Sequence, residues 1–466
     1  MGKLFGTDGI RGVANKELLV PETVVRIGKA IGISLKNGQA RHGKVLIGKD
    51  TRLSGYLIET AICSGLCAVG VDPYLVGPLP TPGIAFLTSN MRAGYGVVIS
   101  ASHNPYYDNG IKFFDADGFK LSDSNEAVIE DLVFAAPSGY DVSHGDIGKA
   151  FRIDDAVGRY VVHLKYAFPK HMDLEGVRIV LDCANGAAYK VAPWVFEELG
   201  AEVIVMNDEP DGTNINERCG AIHPEAMAKK VVEVNAHLGL ALDGDADRAI
   251  LADEKGGIVH GDQILAMCAT AWAKEGRLKR NLVVATVMST LALDRFLAER
   301  GIGLLRTQVG DRYVVEAMRR EGANIGGESS GHFVFSDHAT SGDGILTALM
   351  VLELMLKASR PLSELERVLE PSPQVLLNVE TNGHTAELLS GETFQASIRR
   401  LEQKIGKTGR VFVRASGTQP LIRILIEGED RAVLDDVGQE ILEAIHRVNG
   451  NAKGAFGGNG RNALGS

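Results

Sequence analysis

Short runs of apolar, often β-branched residues recur along this chain, each followed by a polar loop and then by an amphipathic stretch. Residues 44–48, 95–99, 177–181, 238–242, 282–287 and 302–307 are such runs. Continuous rather than alternating hydrophobicity reads as strands buried on both faces. Amphipathic segments such as 54–70 read as the helices that cover them, so the pattern predicts α/β units. Ligands favour the loops at the C-terminal ends of such strands. Polar residues gather at these points, in Lys49-Asp50-Thr51-Arg52, Ser100-Ala101-Ser102-His103-Asn104-Pro105, Asp182-Cys183-Ala184-Asn185-Gly186 and the acidic loop from Asp243.

The pattern changes after residue 370, where Pro371 and Pro373 interrupt a helix that ends at Leu369. Residues 411–414, a polar turn, 421–427 and a helix over 430–448 then read as a smaller α+β unit. Polar breaks at 137–149 and 255–257 complete the division into domains 1–150, 151–257, 258–370 and 371–449. Residues 450–466 hold six glycines and little hydrophobicity, so a disordered tail is expected there.

Composition narrows the function classes. The 466 residues carry 49 Lys+Arg against 59 Asp+Glu, a formal net charge of −10. An acidic chain has no broad field to gather nucleic acid or an anionic membrane, although a local basic pocket can still hold phosphate. The five cysteines, Cys63, Cys67, Cys183, Cys219 and Cys268, are odd in number and scattered. They form neither a disulfide framework nor a zinc spacing and read as reduced thiols. No signal-peptide core opens the sequence, and the longest apolar stretch, 345–356, contains Glu353 and is too short to span a bilayer. A cytoplasmic protein is therefore expected. Glycine is in excess at 55 residues, which means either flexible filler or loops that need its backbone freedom.

The strongest local signal is Asp243-Gly244-Asp245-Ala246-Asp247-Arg248. Carboxylates at alternate positions of an extended segment point the same way and converge on one hard cation. The spacing also begins an EF-hand loop, but Arg248 stands where that loop needs Gly, and the apolar strand 249–252 follows in place of a helix. A solvated acidic turn is the plain alternative, yet three acids after a buried strand repel one another without a cation. Mg²⁺ completed by a phosphate oxygen suits them. Ser102 in the 100–105 loop reads as a nucleophile or phosphate carrier, or simply as a turn-capping hydroxyl, with Lys112 downstream. Gly327-Glu328-Ser329-Ser330-Gly331-His332 matches the G-x-S-x-G elbow formally, but an extended Phe333-Val334-Phe335 follows where the elbow needs a helix. Glu328, Ser330 and His332 then suit a polyhydroxylated ligand, or a polar turn. Arg414-Ala415-Ser416-Gly417-Thr418-Gln419-Pro420, with Arg423, has the parts of a phosphate clamp or of a hairpin turn. No G-x-G-x-x-G follows a strand, so a dinucleotide cofactor has no support.

Taken together with Gly6-Thr7-Asp8-Gly9-Ile10-Arg11-Gly12, these loops resemble, in order, the signature segments of the α-D-phosphohexomutase superfamily over most of the chain. The opening segment and Val309-Gly310-Asp311-Arg312-Tyr313-Val314 are similar to its glucosamine branch. The resemblance implies three related α/β domains with mixed sheets plus a smaller C-terminal α+β domain, arranged around a central cleft. It implies interconversion of glucosamine 6-phosphate and glucosamine 1-phosphate through phosphoserine at Ser102, with a sugar 1,6-bisphosphate as intermediate and activator. One Mg²⁺ per active site would be held by Ser102, Asp243, Asp245 and Asp247. Ser102, Lys112, Arg11 and His332 would be catalytic, and Arg248, Glu328, Ser330, Arg414, Ser416, Gly417, Thr418 and Arg423 would bind substrate. The partners implied are small sugar phosphates in cell-envelope precursor synthesis, with no nucleic acid and no membrane, and a homodimer is the assembly considered. Glucose or mannose specificity, or a metal-dependent sugar phosphatase, are the alternatives. Ala415, Gln419 and Ser329 depart from the usual pattern.

Overall fold

The computed structural model describes residues 4–456 apart from 7, 40–42, 136–139, 381–388, 407–408, 416–420 and 450–453. The chain divides into two compact units, Met1–Val287 with Ile302–Val368, and Met288–Gly301 with Leu369–Ser466.

The first unit holds three sheets. The first contains β1 (Ile10–Val13), β2 (Lys44–Lys49), β3 (Asp72–Pro78), β4 (Tyr95–Ile99), β5 (Asp108–Phe114) and β6 (Phe151–Arg152), ordered β1-β5-β4-β2-β3-β6. The second contains β7 (Arg178–Asp182), β8 (Glu202–Met206), β9 (Leu238–Leu242) and β10 (Ala249–Ala252), ordered β10-β9-β7-β8. The third contains β11 (Leu282–Thr286), β12 (Gly303–Thr307), β13 (Ile325–Gly327) and β14 (Phe333–Phe335), ordered β12-β11-β13-β14. One plan underlies all three. A leading strand (β2, β7, β11) lies parallel to the next strand on one side and parallel to the third on the other. The third strand then pairs antiparallel with a fourth through a hairpin. The first sheet adds β1 and β6 at its edges. The kinship of the three domains, which the sequence carried only by resemblance, is therefore visible in strand order and direction.

The helices of this unit are α1 (Pro21–Ser34), α2 (Ser54–Ala68), α3 (Thr81–Asn90), α4 (Asp123–Ala135), α5 (Ala156–Ala167), α6 (Val191–Glu198), α7 (Glu225–Glu233) and α8 (Gly261–Lys274). After α9 (Leu291–Ala298), which clusters with the second unit, come α10 (Asp311–Glu321), α11 (Gly344–Ala358) and the short α12 (Leu362–Leu365). The apolar run 345–356 is a core helix: Ile345, Leu349 and Val351 are fully buried, and buried Glu353 is held by Arg277 and Lys357, each at 2.7 Å. Against β2 and β4, whose Val45, Ile47, Val97 and Ile99 are buried, α1 and α2 bring Ile27, Ile31 and Ile62. The two helices approach closely at Gly28 and Gly65, where no side chain fits between the backbones. A Cβ on Gly65 would lie 2.2 Å from the carbonyl oxygen of Val25.

Phe151–Arg152, just past the first expected boundary, pairs with β3 and closes the edge of the first sheet, and Met288–Gly301, between β11 and β12, clusters with the second unit. At the expected break over 255–257, Asp253 ties a tight turn by accepting from the N–H groups of Lys255 and Gly257 at 2.9 and 2.7 Å.

The second unit is a sheet of β15 (Gln374–Glu380), β16 (Arg410–Ala415), β17 (Leu421–Glu427) and β18 (Gly454–Phe456), ordered β16-β17-β15-β18. Helices Glu392–Ile405 and Arg431–Asn449 cover the face carrying Val375, Leu377, Ile424 and Ile426. β18 corrects one expectation: Gly454–Phe456 lies in the segment read as a structureless tail, yet it pairs antiparallel with Leu377–Val379. β18 takes the side of β15 opposite β17, where an extended segment can satisfy the backbone groups of a strand edge. The remainder of 450–466 lies outside the described residues.

Overpacking at the α1–α2 contact is expected to cost about 1–3 kcal/mol, so Gly65→Ala should lower the urea midpoint without changing the far-ultraviolet circular dichroism. A pH effect is expected at Glu366, whose carboxyl is pushed up to about 7 by burial and by Asp253 and Glu254. A raised carboxyl binds its proton more tightly in the folded state, so stability falls as pH rises through the window from the ordinary Glu range to about 7. Glu366→Gln should therefore be more stable than the parent at pH 8 and should lose that advantage at pH 4, as read by urea unfolding.

Candidate active site

Each sheet of the first unit carries one chemical loop at the same place, the hairpin from its third to its fourth strand. The 100–107 loop joins β4 to β5, the 243–248 loop joins β9 to β10, and the 328–332 loop joins β13 to β14. Each hairpin also contains one left-handed residue: Ser102 at φ 52°, Ala246 at φ 55° and Gly331 at φ 99°. Such backbone is costly for residues with a side chain and is kept where the surroundings enforce it.

Hydrogen bonds stitch the three loops together. Ser102 Oγ donates to Asp243 Oδ2 at 2.6 Å, and Thr81, at the start of α3, donates through N–H and Oγ1 to Asp245 at 3.0 and 2.7 Å. The Ala249 N–H donates to the Gly331 carbonyl at 3.0 Å, and that of Gly344, opening α11, to the Ala246 carbonyl at 3.0 Å. Asp243, Asp245 and Asp247 are all buried, with ligand oxygens within 4.8 Å of one another. Burial pushes the Asp243 carboxyl well above the ordinary carboxylate range, and Asp247 and Asp245 add to the rise. Asp245 Oδ1 and Asp247 Oδ1 are buried without a hydrogen-bond partner. Clustered buried acids with two unused oxygens fit a hard divalent cation, which takes oxygen ligands.

A second set of charges surrounds these acids. Lys112, on β5 and 2% exposed, donates to Asp245 Oδ2 at 2.9 Å, lies 3.4 Å from Asp247 Oδ2 and 3.3 Å from Asp8 Oδ2. Although burial opposes it, Asp245, Asp8 and Asp247 hold the ammonium well above the ordinary lysine range. Arg11 pairs with Asp8 at 2.5 Å and reaches the Ala101 carbonyl at 3.5 Å. Lys120 bonds Asp8 and, at 2.5 Å, Asp311 at the start of α10. His332 Nε2 accepts from the Gly342 N–H at 3.1 Å, and its Nδ1 stands 3.7 Å from Asp247 Oδ1. Glu328 Oε1 accepts from the Gly310 N–H at 3.0 Å. The Arg248 N–H donates to Asp243 Oδ1 at 3.2 Å. His103, 3.3 Å from Ser102 Oγ, is pushed down to about 3 by burial and by Arg248 and Arg11, so it is a neutral imidazole.

The first unit thus brings together Ser102, Asp243, Asp245, Asp247, Lys112, Arg11, Arg248, Glu328 and His332, with Ser330 half-buried on the third hairpin. Asp8, Thr81, Lys120 and Asp311 join them and were not picked out as site residues from the sequence. Asp8 and Asp311 stand inside segments that were noticed, whereas Thr81 and Lys120 carry no local signal. In the second unit, Arg414 and Arg423 register directly opposite across β16 and β17, and Asn378 registers beside Arg423 on β15. Ser416, Gly417 and Thr418 lie outside the described residues.

Comparison with known proteins agrees with this arrangement. Residues 2–139, 159–257 and 260–371 match, in turn, the phosphoglucomutase/phosphomannomutase α/β/α domains I, II and III, and 359–444 match the C-terminal domain of the same proteins. The chain belongs to the phosphoglucomutase/phosphomannomutase family. Within it, the chain is 53% identical to the phosphoglucosamine mutase of Syntrophotalea carbinolica, over 96% of this chain and 97% of that protein. It is 54% identical to the phosphoglucosamine mutase of Myxococcus xanthus, over 96% and 97% of the two chains. The crystal structure of a phosphoglucomutase/phosphomannomutase family protein from Burkholderia thailandensis superposes with a TM-score of 0.81 at 25% identity, covering 97% of this chain and 99% of that one. The N-acetylphosphoglucosamine mutase of Aspergillus fumigatus, solved with GlcNAc-6P and magnesium, shares the fold at a TM-score of 0.67 and 19% identity, covering 96% of each chain.

Removing one member of a buried ion pair costs about 3–5 kcal/mol, because its partner is left charged and unpaired. Lys112→Met should therefore destabilise the protein by that order, and millimolar Mg²⁺ should recover part of the loss in a thermal-shift measurement.

Proposed function

We propose that this chain interconverts glucosamine 6-phosphate and glucosamine 1-phosphate by passing a phosphoryl group through Ser102. The observation that carries the reading is the 2.6 Å contact between Ser102 Oγ and Asp243, at the meeting of a buried serine hairpin with a buried triplet of acids. The sugar is supported by relatives named phosphoglucosamine mutase that match nearly the full length at 53–54% identity.

In this reading phosphoserine 102 donates to O1 of glucosamine 6-phosphate. The bond from phosphorus to Ser102 Oγ breaks as the bond to O1 forms, and the proton lost from O1 ends on the freed Ser102 Oγ, which gives it up to O6 in the return step. The resulting 1,6-bisphosphate turns within the site, and Ser102 Oγ then takes the phosphoryl group from O6, which regains a proton. Asp243, Asp245 and Asp247, with an oxygen of the Ser102 phosphate, would hold Mg²⁺. When bound, that ion polarises the transferring phosphoryl oxygens and offsets their charge. Lys112 and Arg11 add positive charge at the same place. Lys112 has its donors directed at Asp245 and Asp247, which favours charge stabilisation over proton transfer. With Nε2 engaged by Gly342, His332 orients Asp247 in this scheme. Glu328, Ser330 and Arg248 would take sugar hydroxyls and phosphate. Arg414 and Arg423 of the second unit, with Ser416, Gly417 and Thr418, would hold a substrate phosphate.

The reading carries a cytoplasmic location with it, and among the described residues no helix is long and apolar enough to cross a membrane. Ser102→Ala should reduce turnover of glucosamine 6-phosphate to background in a coupled assay, while leaving the thermal midpoint near that of the parent. Comparing kcat/KM for the 6-phosphates of glucosamine, glucose and mannose should favour glucosamine. Preference for either of the others would replace the proposed substrate, and release of inorganic phosphate in place of an isomer would indicate a phosphatase.

A further inference from the structure

Arg52 lies on the loop after β2 and is absent from the site described above, yet its side chain is fully buried. All five of its guanidinium N–H donors have acceptors. Nε donates to Asp50 Oδ2 at 2.7 Å. Nη1 donates to the carbonyls of Pro105 and, at 3.1 Å, Asp108. Nη2 donates to the carbonyls of Ser102 and Asn104 at 2.9 and 2.8 Å. Four of the five acceptors are therefore backbone oxygens of one short segment, the hairpin that carries Ser102. Asp50 is itself fixed by the Arg52 N–H at 3.0 Å and by Ser100 Oγ at 2.7 Å, and Ser100 Oγ accepts from the Ser102 N–H at 2.9 Å. From the second sheet, Asn216 Nδ2 reaches the same Ser102 and Asn104 carbonyls at 2.9 and 3.2 Å.

Of these four carbonyls that of Pro105 has a donor within the hairpin, the Asp108 N–H at 3.1 Å, whereas the carbonyls of Ser102, Asn104 and Asp108 depend on side chains from outside it. A buried carbonyl that loses its charged donor is costly, and Arg52 serves all four at once, so the loop would relax without it. Its relaxed form has no reason to keep Ser102 left-handed. We propose that Arg52 is the positioning residue of the Ser102 hairpin: by gathering the carbonyls of Ser102, Asn104, Pro105 and Asp108 it holds Ser102 left-handed, with Oγ aimed at Asp243. This rests on the phosphoryl-transfer reading for its kinetic consequence, and the geometry stands apart from which sugar is used. Lysine cannot take the place of arginine here, because an ammonium has three donors on one point where the planar fork has five. Displacement of a reacting group by about 1 Å costs roughly 100-fold in rate.

The test uses Arg52→Lys, which keeps the charge beside Asp50, and Asn216→Ala, which leaves Arg52 in place and withdraws two donors. Turnover of glucosamine 6-phosphate is measured together with incorporation of phosphate on Ser102 from glucose 1,6-bisphosphate, read by intact mass. For Arg52→Lys, kcat and the rate of Ser102 phosphorylation should both fall about 100-fold while KM changes by less than about threefold. Asn216→Ala should show a smaller fall of the same kind. In Arg52→Ala, added guanidinium should raise kcat and methylammonium should not. The proposal is overturned if folded Arg52→Lys retains kcat within threefold of the parent, or loses affinity with kcat unchanged. If Arg52→Lys does not fold, unchanged kcat in Asn216→Ala overturns it. A parent that phosphorylates Ser102 from the bisphosphate but ignores glucosamine 6-phosphate would sink the substrate assignment and leave the Arg52 comparison intact, since the phosphorylation rate still reads it.

Discussion

The Lys112 ammonium, enclosed by Asp245, Asp247 and Asp8, is the contact on which the first unit's site depends. It is the point at which the first sheet, the second sheet's acidic hairpin and the N-terminal segment share one charge. Three carboxylates brought so close in a buried place would otherwise repel. The lysine belongs to β5 and therefore cannot move without the strand that follows the serine hairpin. Position and charge are supplied by the same residue, so the acids approach Ser102 only when β5 is correctly paired between β1 and β4.

Around that contact the architecture is economical in kind. The same hairpin, in three sheets of one topology, carries a serine, a set of acids and a Glu–His pair. Each hairpin is tightened by one left-handed residue; the acidic and Glu–His hairpins are bonded through backbone groups, which do not depend on side-chain identity, and the serine hairpin meets the acids through Ser102 Oγ. In the first sheet the leading-strand loop contributes Arg52 to its hairpin, and in the second the Ala187 N–H donates to the Gly244 carbonyl at 2.8 Å. The relation between leading loop and hairpin is thus shared, although the chemistry that makes it is different.

The sequence displayed the parts of this arrangement that are local. Runs 95–99, 238–242, 249–252 and 421–427 coincide with β4, β9, β10 and β17, because strands buried on both faces leave an uninterrupted apolar trace. The serine, acidic and Glu–His loops were equally legible, since their chemistry is packed into six residues or so. β5 was not read as a strand, as it opens with Asp108, Asn109 and Gly110, whose polar groups are satisfied by distant partners such as Ser54. Thr81 and Lys120 escaped notice for a similar reason: their partners Asp245 and Asp311 lie 164 and 191 positions away. Arg52 stood in a noticed loop, but nothing in its neighbours announces four carbonyls contributed by residues 50 or more positions on. The repeat of the three sheets is a fact of pairing direction, and pairing direction leaves no mark on composition.

That repeat has a consequence for how such a chain can come about and be altered. A topology used three times in succession is what duplication of a single gene segment produces, and the hairpin is where the copies have diverged. The ancestral unit would have needed only a strand order and a left-handed turn, with the serine, the acids and the Glu–His pair as later specialisations of one tip. Exchange of hairpin tips between sheets is for the same reason a natural route to new members: the graft meets a stem of familiar direction and pairing, and only its side chains are new.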